Sequence, residues 1–599
     1  MEKKYYTIER NTQIILSVLK AYNIKRIIVS PGATNICFVG SIQNDDFFEV
    51  YSCVDERSAA YMACGMAAET GEPVVLSCTG ATASRNYYPA LTEAFYRKLP
   101  VLAITSHQGT DRIGHLIPQN IDRRIKPSDI VKLSVDIPMI NNFRDEHYAT
   151  IEINKAVIEL FRRGGGPVHI NLQTYYSDDF SIKELPPCRI IHHHDSTRNL
   201  PTLPQGEIAI VIGSHLTFSD EEQQIIDHFC DEYDAAVFCD HTSGYYGNHK
   251  VQSAILFTQK EYNSPLNNFA LIIYIGEIWG DYTIGKIHAS ELWRISPDGE
   301  VRDVFDKLTH IFEMSISSFF NFYSKDTLPE PNNTLSKSLN NEINHIRSEA
   351  NDIKLSNVWI ASQTAPFLPA NSRVHLGILN TLRSWNYFEF PQTVRSYSNV
   401  GGFGIDGCVS SMIGASFAHP EYLYYAIVGD LAFFYDLNSL GNKHIRNNIR
   451  ILLINNGKGT EFRLYHHKCN KFGNEAEKYM AAAGHWGNKS PLLVKHYAED
   501  LGFQYYSATT KEEYLEIKDR FLSPEITDKP MLVEVFTNSD DESDAIKQFD
   551  YIVKSPQEEN QHLPTETSFK QKLKNNIKKV IGQDNIDKLK KTFSGSNAE

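Results

Sequence analysis

Residues 426–462 read AIVGDLAFFYDLNSLGNKHIRNNIRILLINNGKGTEF. Residues 424–428 form an apolar run of strand length that stops at Gly429-Asp430. Leu431, Phe434, Leu437 and Leu440 follow at helical spacing, which predicts a helix. Residues 449–454 are a second strand-length run, ending at Asn455-Asn456-Gly457. An acid therefore stands at the tip of one strand and two amides at the tip of the next. In a doubly wound parallel sheet such tips meet in the crevice where ligands bind. A carboxylate, an amide carbonyl and a loop backbone carbonyl are hard oxygen donors. They suit an octahedral Mg²⁺ that is also held by phosphates.

The ordered set of strand, Gly-Asp, helix, strand and Asn-Asn resembles the diphosphate-binding signature of thiamine diphosphate enzymes. The resemblance implies that Asp430 and Asn456 hold the metal by their side chains and Lys458 by its carbonyl, with Gly429, Leu431 and Ala432 beside the diphosphate. Just upstream lies SNVGGFGIDG at 398–407. Gly401, Gly402 and Gly404 let the backbone approach a ligand closely. The helix expected from about Gly407 offers free N–H groups to phosphate. By the same resemblance Ser398 lines the cofactor and Ile405 is the bulky residue that supports its bent shape.

The first 180 or so residues alternate strand and helix, which predicts a parallel sheet covered by helices. Gly32 sits in a turn after the first strand. Asp55-Glu56-Arg57 ends the second, and a small-residue helix follows (SAAYMACGMAAE, 58–69). The next strand enters Thr79-Gly80-Ala81-Thr82. This order looks like the pyrimidine-binding domain of the same family. The match implies that Glu56 is the catalytic carboxylate, sharing a proton with the aminopyrimidine so that its imine can act as the base. Thr82 and Asn86 are read as further cofactor contacts. Gln119, in the long loop 106–124, matches a glutamine facing cofactor and substrate. His115, and less so His107, are candidate proton donors there.

Residues 200–335 form a second α/β unit with no Gly-rich phosphate loop, so no FAD is expected and the unit reads as structural. The polar stretches 185–195, with His192-His193-His194, and 321–354 read as linkers. The implied organisation is a pyrimidine-binding domain at 1–185, a central domain at 195–340, a diphosphate and Mg domain at 345–542, and a linker with a tail at 543–599. In the tail, Phe569, Leu573, Ile577, Val580 and Ile581 make one helical stripe, and Ile586, Leu589 and Phe593 another. Eight lysines face two aspartates between Lys570 and Lys591. It reads either as a solvated helical tail or as an amphipathic pair touching an anionic membrane surface.

Composition bounds the rest. The 599 residues are 42% apolar, enough for several packed domains. The excess of acids, 73 against 59 basic residues, gives nucleic-acid binding no electrostatic support. Nine scattered cysteines without a CxxC pair fit a reducing cytoplasm. No run approaches the roughly 20 apolar residues of a membrane span, and the N-terminus reads as an amphipathic helix, not a signal peptide.

Within the family the pattern is most similar to the carboligases of the menaquinone pathway, which add the succinic semialdehyde unit of 2-oxoglutarate to isochorismate. Those relatives carry arginines where this chain has Ala33-Thr34 and Val400. Arg85 stands where it either replaces an anion contact or lies on the surface. The resemblance thus implies a thiamine diphosphate- and Mg²⁺-dependent enzyme that decarboxylates a 2-oxo acid and transfers the product to an unknown acceptor. A simple decarboxylase of the phosphonopyruvate type, and a scaffold whose catalysis has lapsed, are the alternatives. The family pairs first and third domains of different subunits, so a homodimer or homotetramer with shared sites is expected.

Overall fold

The structure, a computed structural model, describes residues 5–553 apart from 125, 281–282, 326–329 and 351. The tail stripes from Phe569 to Phe593 lie outside the described residues. Three sheets follow one another, and every strand pairing within them is parallel.

The first sheet contains β1 (Arg26–Val29), β2 (Glu49–Ser52), β3 (Val74–Cys78), β4 (Val101–His107), β5 (Leu133–Ile137) and β6 (Val168–Gln173). Its order is β2-β1-β3-β4-β6-β5. The middle sheet contains β7 (His192–His194), β8 (Ile208–Ile212), β9 (Ala236–Cys239), β10 (Lys250–Gln252), β11 (Asn268–Ile275), β12 (His288–Ile295) and β13 (Leu308–Phe312). The third contains β14 (Arg373–Leu376), β15 (Arg395–Ser398), β16 (Tyr424–Gly429), β17 (Ile449–Asn455), β18 (Gln504–Ala508) and β19 (Met531–Phe536). Its order, β15-β14-β16-β17-β19-β18, repeats that of the first sheet strand for strand. Both sheets therefore reverse direction at the same place, between their first and third strands. That is where a doubly wound sheet opens a ligand crevice.

The central strands are buried on both faces, as parallel strands under helices must be. β3 and β17 have no exposed residue. One face of the first sheet packs Ile14, Leu16, Ile153 and Val157; the other packs Ala59, Ala63, Cys64 and Leu91. The small-residue helix Glu56–Thr70 thus spends its alanines on its own sheet, and Tyr61 and Met62 face outward, each nearly half exposed.

Three readings need correction. The histidines 192–194 are not linker: they form β7 and pair with β13 at the edge of the middle sheet. His193 Nε2 lies 3.0 Å from Glu313, and His194 Nε2 lies 3.0 Å from His310 Nδ1. The second linker contains a helix, Thr334–Ser348, which buries Leu335, Leu339, Ile343 and Ile346. The third domain also runs past 542, because the helix Ser539–Asp550 docks on it through a buried acid. The Glu542 carboxylate accepts from Asn357 N at 2.9 Å and from Thr537 Oγ1 at 2.7 Å.

Burial pushes the Glu542 carboxyl up to about 7 from its ordinary 4.5. Between those two values the folded chain binds a proton that the unfolded chain has released. Its contribution to stability is therefore present at low pH and falls as pH rises through that window, by up to about 3 kcal/mol. Glu542→Gln should flatten the fall. The midpoint of thermal unfolding from about pH 5 to about pH 8 should decline less in the variant than in the parent. Parallel curves would show that Glu542 is ionised in the fold throughout.

All nine cysteines are unpaired. Among the described residues no helix is long and apolar enough to cross a membrane.

Candidate active site

The third domain places Gly429-Asp430 at the end of β16, beside the reversal of strand order. Gly429 pairs with Ile454, so Asn455 and Asn456 leave β17 at the same level. Asp430 is only 5% exposed. Burial raises its carboxyl to about 7, while the backbone N–H groups of Leu431 and Gly457 favour the ionised form. The nearby Glu534 adds like charge, and among the described residues no Lys, Arg or His lies within ion-pair distance of Asp430. The Lys458 ammonium does not help, since it pairs with Glu477 at 2.7 Å. A buried carboxylate without a cation is costly. A divalent cation is the partner that would remove that cost.

The two amides divide their work. Asn455 is buried and donates to Glu534 Oε1 at 2.7 Å, while its Oδ1 accepts from Gly457 N at 3.1 Å. Glu534 in turn accepts from Tyr505 OH at 2.7 Å. Only Asn456 is left toward the loop, with Oδ1 accepting from Lys458 N at 3.3 Å. The Lys458 carbonyl accepts from Thr460 N at 2.8 Å. Each of these oxygens keeps a second lone pair for a metal. The turn needs glycine at 457, where φ is +75° and a Cβ would lie 2.3 Å from Asn488 Nδ2.

The helix after Asp430 is shorter than its leucine spacing suggests. It ends at Tyr435 and continues as a 3₁₀ turn over Leu437–Gly441. Asp436 turns its carboxylate to Ser410 N at 2.5 Å, at the start of the helix Cys408–Ala418. One of the N–H groups expected to face phosphate is thus already satisfied. The backbone is open ahead of that helix at Gly401 and Gly402, and again at Gly429 at the end of β16, where a Cβ would meet nothing within 4 Å. Ile405 leans on the third-domain core. The Ser398 hydroxyl is engaged with the Leu376 carbonyl at 2.8 Å. Phe403 of the same loop reaches a cavity of about 640 Å³ in the middle domain, beside Trp279 and Arg294, so that domain borders the glycine loop.

In the first domain the same crevice gathers Gly32, Thr79-Gly80 and the backbone of Gln119. A Cβ on Gly32 would lie 2.6 Å from Thr79 Cβ, and one on Gly80 would lie 3.3 Å from the Gln119 carbonyl. Glu56 opens the helix Glu56–Thr70, which Asp55 caps by accepting from Ser58 N at 3.0 Å. Its half-buried carboxylate acts on the buried Cys78 and Tyr87 beneath the crevice. Thr82 and Asn86, the two ends of one short helix, are exposed, as are the Gln119 and His115 side chains.

Other candidates fall away. His107 accepts from Gly109 N at 3.1 Å, and burial lowers it to about 4, so it is neutral and cannot serve as an acid near neutral pH. In the loop after β17, His467 Nδ1 accepts from Cys469 N at 3.2 Å. Arg85 donates to the Asp122 carbonyl at 2.9 Å. Asp436 and Glu534 escape sequence reading; the only signal for Glu534 is a lone acid inside the apolar run 531–536.

Two domains of equal topology, each with a glycine-bearing turn at the reversal of strand order, give the chain two matching crevices, an architecture that suits a thiamine-cofactor enzyme. Residues 10–125 match the thiamine pyrophosphate enzyme N-terminal TPP binding domain, and residues 380–535 match the C-terminal TPP binding domain. The chain thus carries both cofactor-binding domains of a thiamine pyrophosphate enzyme and is similar over most of its length to enzymes of the decarboxylase and carboligase type. It is 28% identical to the 2-succinyl-5-enolpyruvyl-6-hydroxy-3-cyclohexene-1-carboxylate synthase of Phocaeicola vulgatus, over 92% of this chain and all of that one. The synthase of the same name from Bacteroides thetaiotaomicron is 27% identical over the same shares. The structure of the thiamine diphosphate-dependent 4-hydroxybenzoylformate decarboxylase of Rhodococcus jostii aligns over 88% of this chain and 99% of that one, at 18% identity and a TM-score of 0.38.

Proposed function

We propose that the chain decarboxylates a 2-oxo acid with thiamine diphosphate and Mg²⁺ and transfers the remaining acyl unit to an acceptor. The observation that carries this reading is Asp430, a buried carboxylate in the third-domain crevice with no basic side chain within ion-pair distance among the described residues. Asp430, Asn456 and the Lys458 carbonyl would hold Mg²⁺, and the open backbone at Gly401, Gly402 and Gly429 would admit the diphosphate. When bound, the cofactor supplies the electron sink for the carbon left by loss of CO₂. Glu56 would move the proton at the pyrimidine. Gln119 and His115 stand on the substrate side.

Glu56 follows a strand of the first sheet and Asp430 a strand of the third, with the middle domain between them in the chain. A cofactor touching both is most simply shared between two subunits. The names borne by the full-length relatives favour carboligation over simple decarboxylation. The acceptor differs from theirs in this reading. Thr34 and Val400 are buried, and Thr34 Oγ1 is tied to Thr79 Oγ1, so neither position offers a cation to a carboxylate-rich acceptor.

The test is CO₂ release from pyruvate, 2-oxoglutarate and phosphonopyruvate, each with and without a panel of aldehyde, ketone and enoate acceptors that includes isochorismate. Release that depends on cofactor and Mg²⁺ and rises with an acceptor supports the reading. Release that no acceptor alters reduces the enzyme to a decarboxylase, and no release from any 2-oxo acid refutes the proposal.

A further inference from the structure

We propose that the first domain binds a monatomic anion, chloride in a cellular setting, in a small cavity between Arg123 and Lys126. The cavity measures about 10 Å³ and is lined by Ser84, Tyr87, Thr105, Arg123, Lys126 and His169, among others. Arg123 is 3% exposed. Its Nη2 donates to the Ser106 carbonyl at 3.0 Å, but its Nη1 is buried without a hydrogen-bond partner. Beside it the Lys126 ammonium donates to the Arg123 carbonyl, so the second cation also meets a neutral oxygen.

No negative group lines this space. Both ring nitrogens of His169 are used, by Thr105 Oγ1 at 2.7 Å and Ser134 Oγ at 2.9 Å, and burial keeps the ring neutral. Asp136 acts on both cations from a distance, and it accepts from Asn171 Nδ2. Among the described residues neither Arg123 nor Lys126 has a carboxylate within ion-pair distance.

A buried guanidinium and a half-buried ammonium facing neutral groups cost free energy, and one anion between them offsets that cost for both. Size selects the ligand. A cavity of this volume has room for about one water-sized body, which excludes phosphate and carboxylates, so that among anions only a monatomic one is admitted. The location gives the ion a task. Arg123 anchors the segment whose Gln119 carbonyl closes over Gly80 in the crevice. An ion on its free Nη1 would fasten that segment to the sheet.

The experiment uses the full chain in crystals grown with bromide. A bromide should appear by anomalous scattering at hydrogen-bonding distance from Arg123 Nη1. A site holding only water in such crystals overturns the proposal. In solution, chloride replacing gluconate at equal ionic strength should raise the unfolding midpoint saturably by a few degrees. Arg123→Gln should abolish that rise, and Lys126→Gln, which leaves the Ser106 contact intact, should weaken it. A parent whose midpoint ignores chloride, or a folded variant that responds like the parent, contradicts the site.

Discussion

Asp430→Ala is expected to weaken Mg²⁺-dependent binding of thiamine diphosphate by at least about 100-fold, since loss of even an outer partner of a metal ligand typically costs 10- to 100-fold. In the proposed ligand set one side chain, Asp430, is negative and the other two oxygens are neutral. Without it the charge of the diphosphate and its metal is poorly balanced. The same change should not harm the empty protein. It removes a buried acid that burial and Glu534 already disfavour, so the metal-free variant should unfold at the parent temperature or above it. That pairing separates loss of a ligand from loss of the fold. Calorimetry showing parent-like cofactor binding in the variant would remove Asp430 from the metal site.

Glu56→Gln is expected to leave cofactor affinity within a few-fold of the parent and to slow exchange of the thiazolium proton by about 10²- to 10⁴-fold, the usual range for a lost general acid–base group. Glutamine keeps the size and the hydrogen-bonding reach of the side chain but cannot share a proton. The surrounding helix should survive, because Asp55 and not Glu56 caps it. Exchange followed by NMR after acid quench gives the rate. An unchanged rate would mean that another group acts at the pyrimidine.

Much of this architecture was legible in the sequence. Apolar runs that stop at Gly-Asp and at Asn-Asn-Gly disclosed two strand tips of the third sheet, because parallel strands are buried throughout and turn polar where they end at the crevice. The same logic found Gly32, Glu56 and Thr79–Thr82. What stayed hidden depends on contacts between distant residues. The leucine spacing after Asp430 ran on past Tyr435, yet the helix stops there because Asp436 is needed by Ser410, which lies 26 residues earlier. Asn455 and Asn456 look equivalent in a list of residues. Strand alternation turns the first into the sheet toward Glu534 and leaves the second for the loop. Three consecutive histidines carry no strand pattern, and only an edge to pair with makes them one. Arg123 sits in a polar loop with nothing local to mark it as buried.

The central claim is that one cofactor is held by Glu56 of one first domain and Asp430 of another chain's third domain. Mixing an inactive Glu56→Gln chain with an inactive Asp430→Ala chain tests it most directly. Hybrid dimers would hold one site with both lesions and one with neither. With subunit exchange demonstrated by mass, CO₂ release from the 2-oxo acid that the parent consumes should recover toward about half the parent rate per hybrid dimer. Exchange that restores no activity, or a parent that is active as a monomer by light scattering, would contradict the shared site.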